Sequence, residues 1–208
     1  MKRIVCIIGV CVIGLSLAGC SSGGGTRNID ITNDPGGAVM ELDYRDFDQA
    51  ATAMVQSLLQ SGTLKKKDGS RYVVATGRIT NDTMQRIDTD QLMAKVEQEM
   101  MNSGMVVMTS AVGGKGATDQ TLYQVRDLKK SDVADEFDPN SMPAKRQLVA
   151  PELSIAGKIL QRNIRVDRGT QQVEYYFQLQ LTEIASGLRY WQNETIIGKR
   201  GSRSSVPW

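Results

Sequence analysis

Among the 208 residues there is no histidine and there are three cysteines, so few side chains could do chemistry. His-based triads, imidazole metal sites and the usual neutral-pH general base are all missing from the repertoire. Carboxylates, lysines and serines remain. Asp43, Asp46, Asp48, Glu174 and Glu183 are the carboxylates that acid–base hydrolysis would have to bring into pairs. Asp46 stands three residues ahead of Gln49 in the spacing of a helix cap, and Glu174 falls on the polar side of an alternating strand. No spacing makes two of them converge, so no catalytic residues, no metal site and no cofactor are expected. A surface of solvated charge accounts for these carboxylates.

The cysteines carry a different chemistry. Met1-Lys2-Arg3 precedes the apolar run Ile4 to Leu15, then Leu17-Ala18-Gly19-Cys20 gives way to Ser21-Ser22-Gly23-Gly24-Gly25. A basic start, a short apolar core and a small-residue cleavage point describe a secretory signal, and the core falls short of the ~20 residues of a spanning helix. Leu-Ala-Gly-Cys resembles a bacterial lipobox, which places cleavage between Gly19 and Cys20 and a lipid on the Cys20 sulfur. Ser21, where an aspartate would imply inner-membrane retention, implies the outer membrane. Cys6 and Cys11 leave with the signal, so the exported domain holds no thiol and no disulfide and depends on its own core. Losing Lys2 and Arg3 brings the 25 basic residues level with the 23 acidic ones. A neutral chain lacks the accumulated positive charge that phosphate backbones require, which excludes nucleic acid as a partner.

Four segments follow: a signal at 1–19, the lipidated cysteine and a flexible tether at 20–39, one globular domain at 40–200, and a tail at 201–208. The tether is polar and rich in glycine, and it reaches about 60 Å when stretched. Asp46 and Gln49 then open a helix over 46–60, with Phe47, Ala50, Ala51, Met54, Val55, Leu58 and Leu59 in one stripe ended by Gly62. The β-rich run 71–79 predicts a buried strand. A second helix starts at Asp88-Thr89-Asp90-Gln91 and ends at Gly104, before a strand at 105–108. Five methionines between 93 and 108 fit core filling better than metal binding. Gly113-Gly114-Lys115-Gly116 has the wrong spacing for a phosphate loop and reads as a turn. A third helix covers about 118–130.

Pro139, Pro143 and Pro151 interrupt residues 131–151 and exclude both helix and central strand there. Leu153 to Val166 alternates loosely, with Gly157 placed for a bulge or a close backbone approach. Val173, Tyr175, Phe177, Leu179 and Leu181 alternate with polar residues in a strand buried on one face. A turn at Ala185-Ser186-Gly187 leads into a return strand over 188–197. Gly198 to Trp208 reads as a basic, frayed end. The order of elements predicts an α/β (α+β) fold, a mixed sheet with helices mainly on one face and a C-terminal antiparallel hairpin.

Asp43-Tyr44-Arg45-Asp46-Phe47, the strand 71–79, the run Val149-Ala150-Pro151-Glu152-Leu153-Ser154-Ile155-Ala156-Gly157-Lys158-Ile159 and the ending Gly187-Leu188-Arg189-Tyr190-Trp191 resemble the LpoB-like lipoproteins. The likeness implies a catalytically inert regulator, held at the outer membrane by its lipid, that binds and activates a bifunctional class A penicillin-binding protein. The best-known members carry a long proline-rich linker; this chain has under 20 tether residues, so contact with a synthase near the cell wall requires a taut tether. The competing expectation is a structural or assembly lipoprotein of an outer-membrane-associated complex, in which the hairpin adds a strand to a partner. For partner binding the aromatics near the hairpin stand out: Tyr176, Tyr190 and Trp191, with core packing as the alternative role of the last two. The irregular 131–151 segment is the other candidate surface.

Overall fold

A computed structural model describes residues 28–31, 33, 36–114 and 118–205. Three helices, α1 (Tyr44–Gln60), α2 (Thr89–Asn102) and α3 (Gln120–Asp127), accompany five strands, β1 (Tyr72–Asp82), β2 (Val106–Met108), β3 (Leu153–Arg165), β4 (Thr170–Glu183) and β5 (Arg189–Ser202). The strands form one mixed sheet in the order β2-β1-β3-β4-β5. β1 is parallel to both β2 and β3, while β3, β4 and β5 form an antiparallel meander. Residues 31–208 make one compact unit; of residues 1–30 only 28–30 are described, as exposed coil.

The core follows from the alternation in β4. Val173, Tyr175, Phe177, Leu179 and Leu181 are all buried on one face, where Phe47, Ala50, Met54 and Leu58 of α1 and Leu92, Val96 and Met100 of α2 join them in a single cluster. Each large side chain so buried contributes about 1.5–3 kcal/mol. Phe47 meets Phe177 edge-on, with ring centroids 6.2 Å apart. Tyr175 keeps its polar end satisfied inside: its hydroxyl donates to the Met40 carbonyl at 3.0 Å and accepts from Gln85 at 2.5 Å. Burial pushes its pKa up to about 12. Met93 and Met100 are core residues and Met105 and Met108 pack against the core cluster; Met101 is exposed.

The start of α1 corrects the expected cap. Asp43, not Asp46, is the N-cap, accepting from the N–H groups of Arg45 and Asp46. Asp46 is the third residue of the helix and its carboxylate accepts from the Asp43 N–H at 2.8 Å, closing a capping box with an acid at both ends. The same Asp46 oxygen pairs with Lys199 of β5 at 2.5 Å, and Lys199 also donates to the Glu41 carbonyl at 2.6 Å. The helix therefore begins where the last strand can clamp it. α2 starts at its Asp88 cap, and both α1 and α2 stop at glycines with left-handed φ, Gly62 and Gly104.

Two glycines permit close backbone approach, Gly157 between strands and Gly114 between a loop and β1. A Cβ on Gly157 would lie 2.4 Å from the Gln178 carbonyl oxygen and 2.6 Å from Leu179 Cδ2, so β4 closes onto β3 where no side chain intervenes. Replacing Gly157 by alanine is expected to lower the unfolding free energy by about 2 kcal/mol through overpacking, read as a shifted urea midpoint. Gly114 is held against Gly77 by an N–H donated to the Thr76 carbonyl at 2.6 Å, at the bulge where the β1–β3 register shifts between Thr76 and Ile79. The expected turn at 113–116 continues into Lys115 and Gly116, which lie outside the described residues.

From Ala111 to Glu152 the chain leaves the sheet. α3 is shorter than the expected 118–130 and ends in a 3-10 turn over Leu128–Lys130; none of its residues is fully buried, and Leu122, Val125 and Leu128 are half-buried. Val133, Phe137, Leu148 and Val149 are exposed along this excursion.

Candidate partner-binding face

The helices cover one face of the sheet. Across β3, β4 and β5 the opposite face is built from the residues between the core positions: Lys158, Leu160 and Arg162; Glu174, Tyr176, Gln178 and Gln180; Gln192, Glu194, Ile196 and Arg200. Its composition is polar except at Ala156 and Ile164 of β3 and in one row that crosses all three strands. Leu160 lies opposite Tyr176 in the β3–β4 register, and Tyr176 lies opposite Ile196 in the β4–β5 register. Ile196 is 55% exposed, and Leu160 and Tyr176 are half-buried.

This row arises from three apolar doublets. In a strand, neighbours point to opposite faces, so Ile159-Leu160, Tyr175-Tyr176 and Ile196-Ile197 must each send one member outward. Ile159, Tyr175 and Ile197 fill the core; the other three meet across adjacent strands. Polar residues at 160, 176 and 196 would preserve the same alternation.

Polar groups hold the surroundings of the row in place. Tyr176 donates its hydroxyl to Glu174 at 2.5 Å, and Gln172 donates to the other Glu174 oxygen at 2.7 Å. The Tyr176 and Gln172 bonds hold the Glu174 carboxyl below the usual range, and the Glu174 bond pushes the Tyr176 phenol up. Lys158 pairs with Asp82 at 2.7 Å, and Gln178 donates to Glu194 at 2.6 Å. Beside the row lies a groove of about 330 Å³, floored by Ala156 and Gly157 and rimmed by Arg78, Lys158, Gln180 and Gln192. A ridge of three apolar side chains next to a polar groove suits a protein surface, with an apolar centre and a hydrogen-bonding rim.

The residues anticipated from sequence are dispersed. Gly19 and Cys20 lie outside the described residues, as do Pro207 and Trp208 at the end of the expected tail. Tyr176 sits at the centre of the open face. Tyr190 is 42% exposed at the hairpin end, its phenol pushed up by its hydrogen bond to Glu183. It stands six residues along β5 from Ile196, roughly 20 Å away, so the two tyrosines do not form one site. Trp191 must be withdrawn from the partner surface: opposite Leu181 and only 9% exposed, its ring belongs to the core. Leu160 and Ile196 were not singled out beforehand, although the adjacent doublets were a usable signal.

The carboxylates do not assemble into an acid–base pair. Asp43 and Asp46 meet only as the two ends of the helix cap, Asp48 pairs with Lys95 at 3.2 Å, Glu174 serves Tyr176, and Glu183 accepts from Ser186. Among the described residues no three metal-ligating side chains converge. A larger cleft, about 890 Å³, opens between the bulge of β1 and the start of α2, but its rim mixes Arg78 and Arg86 with Asp88 and Asp90 and offers no single charge to a ligand.

Residues 46–197 match the model of the family described as peptidoglycan-synthase activator LpoB. No curated protein matches the chain. Among solved structures, the LpoB C-terminal domain from Escherichia coli is 14% identical, with 73% of this chain and 98% of that one covered at a TM-score of 0.43. The NMR structure of E. coli LpoB is also 14% identical, with 97% of this chain and 86% of that one covered at 0.37. Lipoprotein GNA1162 from Neisseria meningitidis is 9% identical, with 64% and 85% covered at 0.34. The assignment rests on the family model, which spans α1 almost entirely and the whole sheet as far as Ile197. This chain belongs to the LpoB family of peptidoglycan-synthase activators.

Proposed function

We propose that the chain is an outer-membrane lipoprotein that binds a bifunctional class A penicillin-binding protein through the open face of β3, β4 and β5 and raises its rate of peptidoglycan synthesis. The observation that carries the binding surface is the Leu160–Tyr176–Ile196 row, an apolar ridge that runs across three strands of a mainly polar face. Cys20 carries the lipid, residues 21–39 are the leash, and the domain from residue 40 onward is the effector. Activation needs no chemistry from the activator. It requires that the domain bind the faster state of the synthase more tightly than the slower one, by the same factor as the shift it produces. A domain without histidine or cysteine suits that role.

The test is co-purification of lipid-free residues 21–208 with purified class A penicillin-binding proteins. The expected result is a stoichiometric complex that dissociates when Tyr176 is replaced. Absence of a complex with every class A synthase of the same cell would refute the proposal.

A further inference from the structure

The two edges of the sheet are built differently. β2 is three residues long, too short to template another strand, whereas β5 runs for 14 residues with no proline. Its register with β4 is unbroken from Trp191 to Ser202; the one irregularity lies at the hairpin, between Leu181 and Thr182.

Hydrogen bonding shows which groups face outward. Thr170 accepts from Val166, so even-numbered residues of β4 bond to β3; Glu183 donates to Leu188, so odd-numbered ones bond to β5. In β5 the odd residues Trp191, Asn193, Thr195, Ile197 and Lys199 therefore complete the ladder. The N–H and C=O groups of Gln192, Glu194, Ile196, Gly198 and Arg200 point away from the sheet, and among the described residues no backbone group meets them.

The side chains on this edge choose the occupant. Glu194 accepts from Gln178, and Arg200 donates to Gln172. Among the described residues neither has a partner of opposite charge. They lie on the same face, six residues apart, on the same outward-bonding set of positions. An antiparallel second copy of β5 related by a two-fold axis at Ile197 places Glu194 opposite Arg200, and Arg200 opposite Glu194. In that register Ile196 faces Gly198, which has no side chain to obstruct it. Moving the axis by one residue in either direction breaks the charge pairing.

We propose that two copies of this chain associate edge to edge through β5, antiparallel about Ile197, with reciprocal Glu194–Arg200 pairs closing a continuous sheet of ten strands. The symmetry is isologous and closes at two copies, because it consumes the long edge and leaves only the short β2 edges outside. The apolar rows of the two copies meet beside the axis at their Ile196 residues. The inference stands on the strand geometry alone and is independent of which synthase is bound.

Sedimentation velocity over a concentration series, on residues 21–208 containing the whole compact unit, tests it. The wild type is expected to pass from monomer to dimer. Glu194→Arg and Arg200→Glu should each weaken association by about tenfold or more, since each sets like charges opposite one another twice, and the double exchange should restore it. Circular dichroism guards against misfolded variants. Amide exchange provides a readout needing no substitution: the amides of Glu194, Ile196, Gly198 and Arg200 should slow as concentration rises. A wild type that stays monomeric, single variants that dimerise as the wild type does, or a double variant that fails to recover would each overturn the proposal.

Discussion

Replacing Lys199 with methionine is expected to lower the unfolding free energy by about 3–5 kcal/mol, the cost of stranding the charged partner of a buried pair. Lys199 and Asp46 show only 8% and 12% of their side chains to solvent and meet at 2.5 Å. Without the ammonium, Asp46 keeps a single N–H donor, that of Asp43, and the Glu41 carbonyl loses its bond from Lys199. The loss extends beyond one bond because this contact fastens the start of α1 to the last strand. The control is a pair exchange: Lys199→Met combined with Asp46→Leu should recover part of the loss, since two apolar groups leave no buried charge. Urea denaturation followed by circular dichroism measures both. A loss below about 1 kcal/mol would show that the pair behaves as an exposed one.

Tyr176→Ala and Ile196→Glu are expected to spare the fold and weaken binding to the synthase. A central tyrosine in a protein interface is worth about 2 kcal/mol or more, so Tyr176→Ala should weaken the complex by roughly thirtyfold. A charge at position 196 should weaken it further, because it places an unpaired carboxylate on the apolar row. Both side chains point away from the core, so thermal unfolding should move by no more than a surface substitution allows. Calorimetric titration of the purified synthase with each variant reads the binding term. Full-strength binding by both variants would move the interface off this face.

The elements that pack by alternation or helical stripe were legible because burial on one face leaves a period in the sequence. β4 shows this best, with five core residues at every second position. Elements held by backbone pairing were less so. β1 runs three residues past Ile79, through Thr80, Asn81 and Asp82, because the β3 ladder continues there although no side chain is buried. β5 likewise reaches Ser202 instead of ending at Ile197, paired against the start of β4, so residues 198–202 are strand where a frayed tail was expected. Asp43 and Asp46 satisfy the same spacing rule, toward Asp46 and Gln49 respectively; the bonds that Asp43 accepts from the Arg45 and Asp46 N–H groups make it the cap, and Asp46 is held instead by Lys199, 153 residues away in sequence.

The candidate face was partly legible for the same reason. Tyr176 was marked by its position opposite the buried alternation, but Leu160 and Ile196 needed the register, which no local pattern supplies. Tyr190 has no register partner on β4, whereas Trp191 pairs with Leu181 of the buried alternation. The irregularity beside Thr182 turns Trp191 inward, against Leu181. The parallel position of β1 between β2 and β3 depends on contacts distant in sequence and had no signal in the chain.

The most direct measurement is the glycan-polymerisation rate of a purified class A penicillin-binding protein with and without residues 21–208. The rate should rise with wild-type domain until one domain is bound per synthase, and should stay at its basal value with Ile196→Glu. An unchanged rate with wild-type domain at saturating concentration, or equal stimulation by the variant, would contradict activation through the Leu160–Tyr176–Ile196 face.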